Sequence, residues 1–314
     1  MSLKAIIQQM TFINDAYTKW KWRERRVSYG EENPDKTFFV IRRATCKVGL
    51  FSLVMTNMGL VKYAVEKGYI PVIDMQSSAN TYLEKNKIGK ENAWEYYFEQ
   101  PFGYSLHDIA KSKNIILSNG LITSQNEYPR EDIAKNREKL ESWQKWFSKY
   151  FRVRKDILDE AEKIREELFE GEKTLGVLCR GTDYVAHRPK GHPVQPPVEE
   201  MIQHAKDIMD SRQCKWIYLA TEDERAYQKF YEAFGNKLKV TNARRCSDIG
   251  KQNINDISYE RENDNYLRGK EYLINILLLT WCQCLIAGSA GGTYGAMLMG
   301  NEKEYQFIYD LGVY

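Results

Sequence analysis

The chain has 314 residues, enough for two domains with sizeable cores, and its 43% hydrophobic and 28% charged content is ordinary for a globular protein. A formal net charge of +3, from 46 basic residues interspersed with 43 acidic ones, argues against a nucleic-acid partner. Aromatic residues reach 13%, which core and surface packing accounts for, and a carbohydrate-facing groove is the lesser alternative.

Residues 3–26 read as one helix ending in the basic, aromatic run Lys19-Trp-Lys-Trp-Arg-Glu-Arg-Arg26. Such a run is a solvated face with aromatic anchors, or a contact with a membrane surface or a lipid-borne acceptor. A strand is predicted over 36–42, a helix over 50–67 and a second strand over 69–74, a βαβ unit that implies a parallel sheet. Residues 114–118 read as another strand, and the polar helical stretch 131–170 as a bridge between domains. The alternation is clearer in the second half. Strands are predicted at 175–179, 215–220, 237–240, 284–288 and 305–309, and helices at 198–211, 224–234, 267–282 and 292–299. The Pro-rich segment 188–197 reads as a loop, and the polar stretch 246–265 as a mobile one. The reading is α/β, an N-terminal unit over 1–150 and a C-terminal unit over 151–314, with a cleft between them.

The six cysteines include no C-x-x-C pair and the four histidines lack ligand spacing. They fit buried thiols in a reducing compartment better than disulfides or a zinc site. No apolar run reaches the ~18 residues of a membrane span and no secretory leader opens the sequence. A cytoplasmic protein is expected, with peripheral membrane contact left open.

Chemistry-bearing residues gather at predicted strand ends, where ligands of open α/β sheets bind. The strand 175–179 runs into Arg180-Gly181-Thr182-Asp183. An Arg there, with Gly beside it to admit a ligand, suits a phosphate; the structural alternative is an Arg–Asp pair shaping a turn. The strand ending at Ala220 runs into Thr221-Glu222-Asp223-Glu224, whose hydroxyl and carboxylates can face a ligand, cap the next helix or, as an Asp-x-Asp-like set, hold a metal. Ser289 to Gly292 form a Gly-rich strand–helix turn able to offer amides to an anion. His192, in the Pro-rich loop, and the helix start at Gly49 and Ser52 are candidate walls of the same cleft. Asp183 and Glu222 are the carboxylates able to take a proton from an acceptor hydroxyl.

The order Gly176-Val177, Arg180, Thr182-Asp183, His192-Pro193, Glu199-Glu200, Tyr218-Leu-Ala-Thr-Glu-Asp223 and Leu277 to Gly292 resembles the fucosyltransferase superfamily, which holds α-1,6-, nodulation and protein O-fucosyltransferases. The resemblance covers most of residues 174–300 and is loose before that. It implies a GT-B-like fold of two Rossmann-type domains with a cleft between them. It also implies GDP-fucose as donor, inversion at the anomeric carbon and no metal cofactor. Arg180 would hold the β-phosphate, Glu222 and Asp223 would line the donor site, and Ser289, Gly291 and Gly292 would contact phosphate or nucleoside. The family usually has His two residues before the Arg, where this chain has Leu178, and an acidic residue expected to read guanine falls at Asn275, with Glu271 one turn earlier. A donor with another nucleotide and a catalytically silent nucleotide or glycan binder therefore stay open. The expected partners are a nucleotide-sugar donor and a glycan acceptor, such as a surface-polysaccharide precursor, and no nucleic acid.

Overall fold

The structure, a computed structural model, describes residues 3–44, 47–121, 127–181, 188–247 and 257–314, the side chains of residues 3–10 and 12 excepted. Thr182 and Asp183 therefore lie outside the described residues.

Among the described residues, nine strands form two sheets. The first contains β1 (Arg25–Val27), β2 (Phe38–Ile41), β3 (Ile70–Ile73) and β4 (Ile115–Leu117) in the order β1-β4-β2-β3. β2 is parallel to both β3 and β4, and β1 is antiparallel to β4. The second sheet contains β5 (Thr174–Leu178), β6 (Trp216–Ala220), β7 (Leu238–Lys239), β8 (Cys284–Gly288) and β9 (Tyr305–Tyr309). Its order is β7-β6-β5-β8-β9 and every pairing is parallel. Continuous apolar runs such as Phe-Phe-Val-Ile and Cys-Leu-Ile-Ala are buried on both faces, as covered parallel sheets require.

The helices are α1 (Leu3–Trp22), α2 (Leu50–Glu66), α3 (Arg137–Tyr150), α4 (Lys155–Phe169), α5 (Val198–Ser211), α6 (Glu224–Phe234), α7 (Asp264–Trp281) and α8 (Gly291–Met299). Alternation along the strands sorts side chains between faces. Phe38 and Val40 join an apolar cluster with Ile115 and Leu117, while Phe39 and Ile41 turn to the opposite face. There they belong to one large cluster that also takes Leu178, Tyr218 and Leu285 from the second sheet, through α2, α3, α4, α7 and α8. The outer face of the second sheet packs Leu175, Val177, Ile217 and Leu219 against α5 and α6.

Two sequence expectations need correction. The helix predicted over 3–26 ends at Trp22, and Arg25–Val27 become an edge strand on β4. Tertiary pairing overrides helix propensity here. The Gly120 amide donates to the Trp22 carbonyl, and a Cβ at Gly120 would lie 2.2 Å from the Trp22 ring. The stretch 131–170 is not merely polar: α3 and α4 bury Trp143, Phe147, Ile157, Ala161 and Phe169 in the large cluster.

Each sheet has a place where the chain turns back on itself. In the second, β5 leads through β6 to β7 on one side, and β8 and β9 lie on the other. In the first, β2 leads to β3 on one side and β4 lies on the other. Such switch points, at the carboxyl ends of the strands, are where open α/β sheets bind ligands.

Candidate functional site

β5 remains paired one residue past its end, where the Cys179 amide donates to the Ala220 carbonyl at 3.1 Å. The chain leaves the sheet at Arg180, whose side chain is 15% exposed. Its guanidinium Nη1 lies 3.9 Å from Glu222 Oε2, at the end of the neighbouring β6. Arg180 and Glu222, with Leu178, Thr221, Tyr272 and Asn275, bound about 380 Å³ of free space beneath α7. The two strand ends and the helix thus bring a cation, a carboxylate, a hydroxyl and a carboxamide around one opening.

An adjoining space of about 450 Å³ shares Thr221, Glu222, Tyr272 and Asn275 and is walled by Arg244, Tyr259, Arg261, Arg268 and Glu271. Its far wall is a charge network. Arg261 bonds Asp264 at 2.7 Å and grips both oxygens of Glu271 at 2.5 and 3.1 Å, while Arg268 lies 3.0 Å from Asp264. Burial alone would raise the Asp264 carboxyl, but bonds from Arg261, the Tyr259 amide and Arg268 hold it below its ordinary value. The grip on Glu271, opposed by burial, raises Arg261.

Asn275 is 7% exposed, and its Oδ1 accepts from the Tyr218 hydroxyl at 2.9 Å and the Thr241 hydroxyl at 2.7 Å. With that oxygen engaged, the amide nitrogen is the end left to the opening. Cys179 also lines the first space, but burial and then Asp223 push its thiol up to about 12, so it is a wall and not a nucleophile.

Gly181 is required by its neighbour. A Cβ there would sit 2.3 Å from Asp223 Oδ2. Asp223 in turn caps α6, its Oδ1 accepting from the amides of Arg225 at 2.8 Å and Ala226 at 3.3 Å. Glu224 bonds Arg245 Nε at 3.1 Å. The three carboxylates of the Glu222–Glu224 triplet thus have three separate surroundings, and among the described residues no group of three His, Cys, Asp or Glu is placed to hold a metal.

The other described sequence candidates do not line these two spaces, although Gly292 lies directly behind Tyr272 and Leu178, which do. Ser289 Oγ bonds the Tyr294 hydroxyl at 2.5 Å and its carbonyl accepts from Gln195 Nε2 at 2.8 Å. Gly292 makes room for Tyr272, whose hydroxyl would lie 2.5 Å from a Cβ there. Gly291 opens α8 without a side-chain cap and packs against Phe51 and Ser52 at the start of α2. The Ser52 amide, at the helix start read as a candidate cleft wall, is bonded to the Gly49 carbonyl at 3.0 Å. His192 is exposed and its carbonyl accepts from the Tyr314 amide, so its loop is tied to the last residues of the chain. Asp183 and Thr182 lie outside the described residues.

The sequence reading missed Tyr272, Tyr259 and the three arginines. A partial signal was present: Asp264 and Arg268, at i,i+4 spacing, share one face of α7, and Arg261 lies just before the helix start.

No protein-family model and no curated protein matches this sequence. Among solved structures the chain resembles NodZ alpha-1,6-fucosyltransferase soaked with GDP-fucose, with a TM-score of 0.50 at 17% identity over 84% of this chain and 93% of that one. The same enzyme co-crystallized with GDP gives the same values. Fucosyltransferase NodZ from Bradyrhizobium gives 0.50 at 16% identity over 84% of this chain and 94% of that one. Likeness at this identity is likeness of fold, and at 84% of the chain it extends beyond the segment that carries the sequence resemblance. Among the described residues no helix is long and apolar enough to cross a membrane.

Proposed function

We propose that this chain is a glycosyltransferase with a GT-B-like arrangement, residues 1–150 serving the acceptor and 151–314 the donor. It transfers fucose from GDP-fucose to a glycan hydroxyl, with inversion and without a metal. The observation that carries the reading is Arg180, largely buried at the carboxyl end of β5 and facing the same free space as Thr221, Glu222 and Asn275. The NodZ structures that share this fold were obtained with GDP-fucose and GDP.

In this mechanism the bond from the anomeric carbon to the β-phosphate oxygen breaks, and its electron pair leaves with the diphosphate. A fixed guanidinium is suited to the charge that grows there, because it cannot deprotonate and offers a bidentate fork. The acceptor oxygen forms the new bond from the opposite face and gives its proton to a carboxylate. Glu222 takes that role among the described residues, and Asp183 is the second candidate. Arg180→Ala is expected to lower kcat by about 10²–10³. A folded Arg180→Ala protein with near-wild-type turnover would sink the mechanism. Activity abolished by EDTA and restored by Mn²⁺ would move the reaction to a metal.

A second reading is favoured by Asn275. It offers an amide nitrogen where the fucosyltransferase resemblance expects a carboxylate toward guanine, so a donor with another base fits the same phosphate grip. Calorimetry with GDP, UDP and CMP separates the two. Tighter UDP binding, converted toward GDP by Asn275→Asp, would establish the second.

A further inference from the structure

α1 is rooted in the body of the protein at its last turn. There the Trp22 carbonyl accepts from the Gly120 amide at 2.8 Å, the Arg23 carbonyl accepts from Arg42 Nη2 at 2.9 Å, and the Arg42 guanidinium lies 5.3 Å over the Trp22 ring. Before that root the packing stops. Of the described side chains from Thr11 to Lys21, that of Thr18 is partly buried and the rest are exposed. A helix of this composition does not support itself in water. Its 20 residues include five β-branched and four aromatic ones against two alanines. Such helices owe their stability to an apolar face packed against something else.

The face that awaits cover is visible. Ile13, Tyr17 and Trp20 follow i, i+4, i+7 spacing and are 60, 55 and 55% exposed. By spacing, positions 6 and 10, Ile and Met, fall in the same row. The Tyr17 and Trp20 rings are stacked with centroids 6.0 Å apart, and the Arg23 guanidinium lies 4.8 Å over the Trp20 ring. At this end Lys21, Arg23, Arg25 and Arg26 are exposed, and none of them forms an ion pair among the described residues. Glu24 is the single acid between Lys19 and Arg26.

That charge decides what covers the stripe. A second copy of α1 does not suit it. Paired parallel, two copies set the basic run against itself. Paired antiparallel, they set it against residues 3–10, which hold Lys4 and no acid. Like charges meet in both arrangements. An apolar, aromatic row that ends in cations matches instead a surface with an apolar interior and a negatively charged skin. Aromatic rings favour the headgroup level of such a surface, and long basic side chains reach from there to its phosphates. The helix, about 30 Å long, lies along that surface and is not apolar enough to cross it.

We propose that α1 is a membrane-docking helix seated in the headgroup layer of an anionic phospholipid bilayer. Ile13, Tyr17 and Trp20 face the acyl chains, and Lys21, Arg23, Arg25 and Arg26 face the lipid phosphates. Arg42 follows β2 and Gly120 follows β4, so the root of α1 sits at the carboxyl ends of these strands and docking holds that end of the first sheet near the bilayer. The inference is independent of the donor reading, because α1 lines neither of the two spaces beside Arg180.

The test is co-flotation of the full chain with vesicles of phosphatidylglycerol and phosphatidylcholine in equal parts and with vesicles of phosphatidylcholine alone. Binding to the anionic vesicles is expected to be at least about 10-fold tighter, and to weaken as salt rises from about 0.1 M to about 1 M and the Debye length falls from about 10 Å to about 3 Å. Lys21→Gln with Arg23→Gln is expected to weaken binding about 25-fold, about fivefold for each cation. Tyr17→Ser with Trp20→Ser is expected to weaken it at least about 10-fold. All four positions are exposed, so the melting temperature is expected to hold; Ile13→Asp replaces the second pair if losing both rings lowers it. Absent binding, equal binding to the two kinds of vesicle, or binding that survives both double variants overturns the proposal. So does a lipid-free dimer in sedimentation velocity that Ile13→Asp takes apart, which would give the stripe to a second copy. GDP calorimetry on the same protein keeps the claims apart. Selective vesicle binding without GDP binding sinks the donor reading alone, and GDP binding without vesicle selectivity sinks the docking helix alone.

Discussion

At the scale of single residues, the site is held by a few side chains that have no part in chemistry. Gly181 lets Asp223 approach the strand end, and Asp223 spends its carboxylate on the first turn of α6. Gly181→Ala forces the two apart, so it combines overpacking with a weakened cap. It is expected to destabilise by about 1–3 kcal/mol in urea unfolding, and a neutral result would show that the carboxylate has room to move. Cys179 is 2% exposed with its thiol pushed up to about 12. Under iodoacetamide at pH 8, peptide mass spectrometry is expected to find Cys246, which is half-buried, labelled well before Cys179. The reverse order would mean that the space beside Arg180 is wetter and more open than described. The residues of this site legible in the sequence, Arg180, Thr221, Glu222 and Asn275, sit directly after strands or inside a long helix, where local pattern fixes position. Tyr259 and the arginines 261 and 268 escaped because their place depends on a network around Asp264 closed by tertiary packing, and Arg244 because it is set over the Tyr259 ring.

At the scale of elements, parallel strands were the legible part. β5, β6 and β8 are largely apolar runs between helices, and these three and β9 each lie within a residue or two of the sequence-predicted span. β1 was not legible, since a three-residue strand with two exposed arginines carries no periodicity and exists only through pairing with β4. A second contact invisible to local pattern ties α5 to β9: the His204 ring bonds the hydroxyls of Tyr309 at 3.0 Å and Tyr305 at 2.8 Å. Burial lowers its pKa, against the weaker pull of Asp207 and Glu200. The unfolded chain therefore binds a proton, from about pH 6.5 downward, that the folded chain resists. Stability from this group is complete above pH 6.5 and is lost as pH falls toward the folded value. Melting temperature is expected to drop between pH 7 and pH 5, and less so in His204→Gln; an equal drop in both would clear His204 of the effect.

At the scale of the molecule, one apolar cluster reaches from Phe39 and Ile41 in the first sheet to Tyr218 and Leu285 in the second. Two units that shared no core would melt separately, whereas a common core couples them. Calorimetry is expected to show a single unfolding transition, and two resolved peaks would mean the shared cluster contributes little. Composition and alternation announced two α/β halves but could not announce this, because which helix faces serve both sheets is decided only on packing. α2 lies at the centre of that packing, with eleven buried residues from Leu50 to Ala64. It opens against Gly291 and carries Asn57 farther along. A helix used in this way is a ruler. One residue inserted between Ser52 and Asn57 would turn everything beyond it by about 100° and advance it by about 1.5 Å, carrying Asn57 out of its buried place without removing a single functional group. Loops around the two sheets can lengthen or shorten at small cost, but this interval cannot. The spacing from Ser52 to Asn57 is therefore set by packing: Ser52 lies against Gly291 at the start of α8, and Asn57 is one of the eleven residues that bury α2.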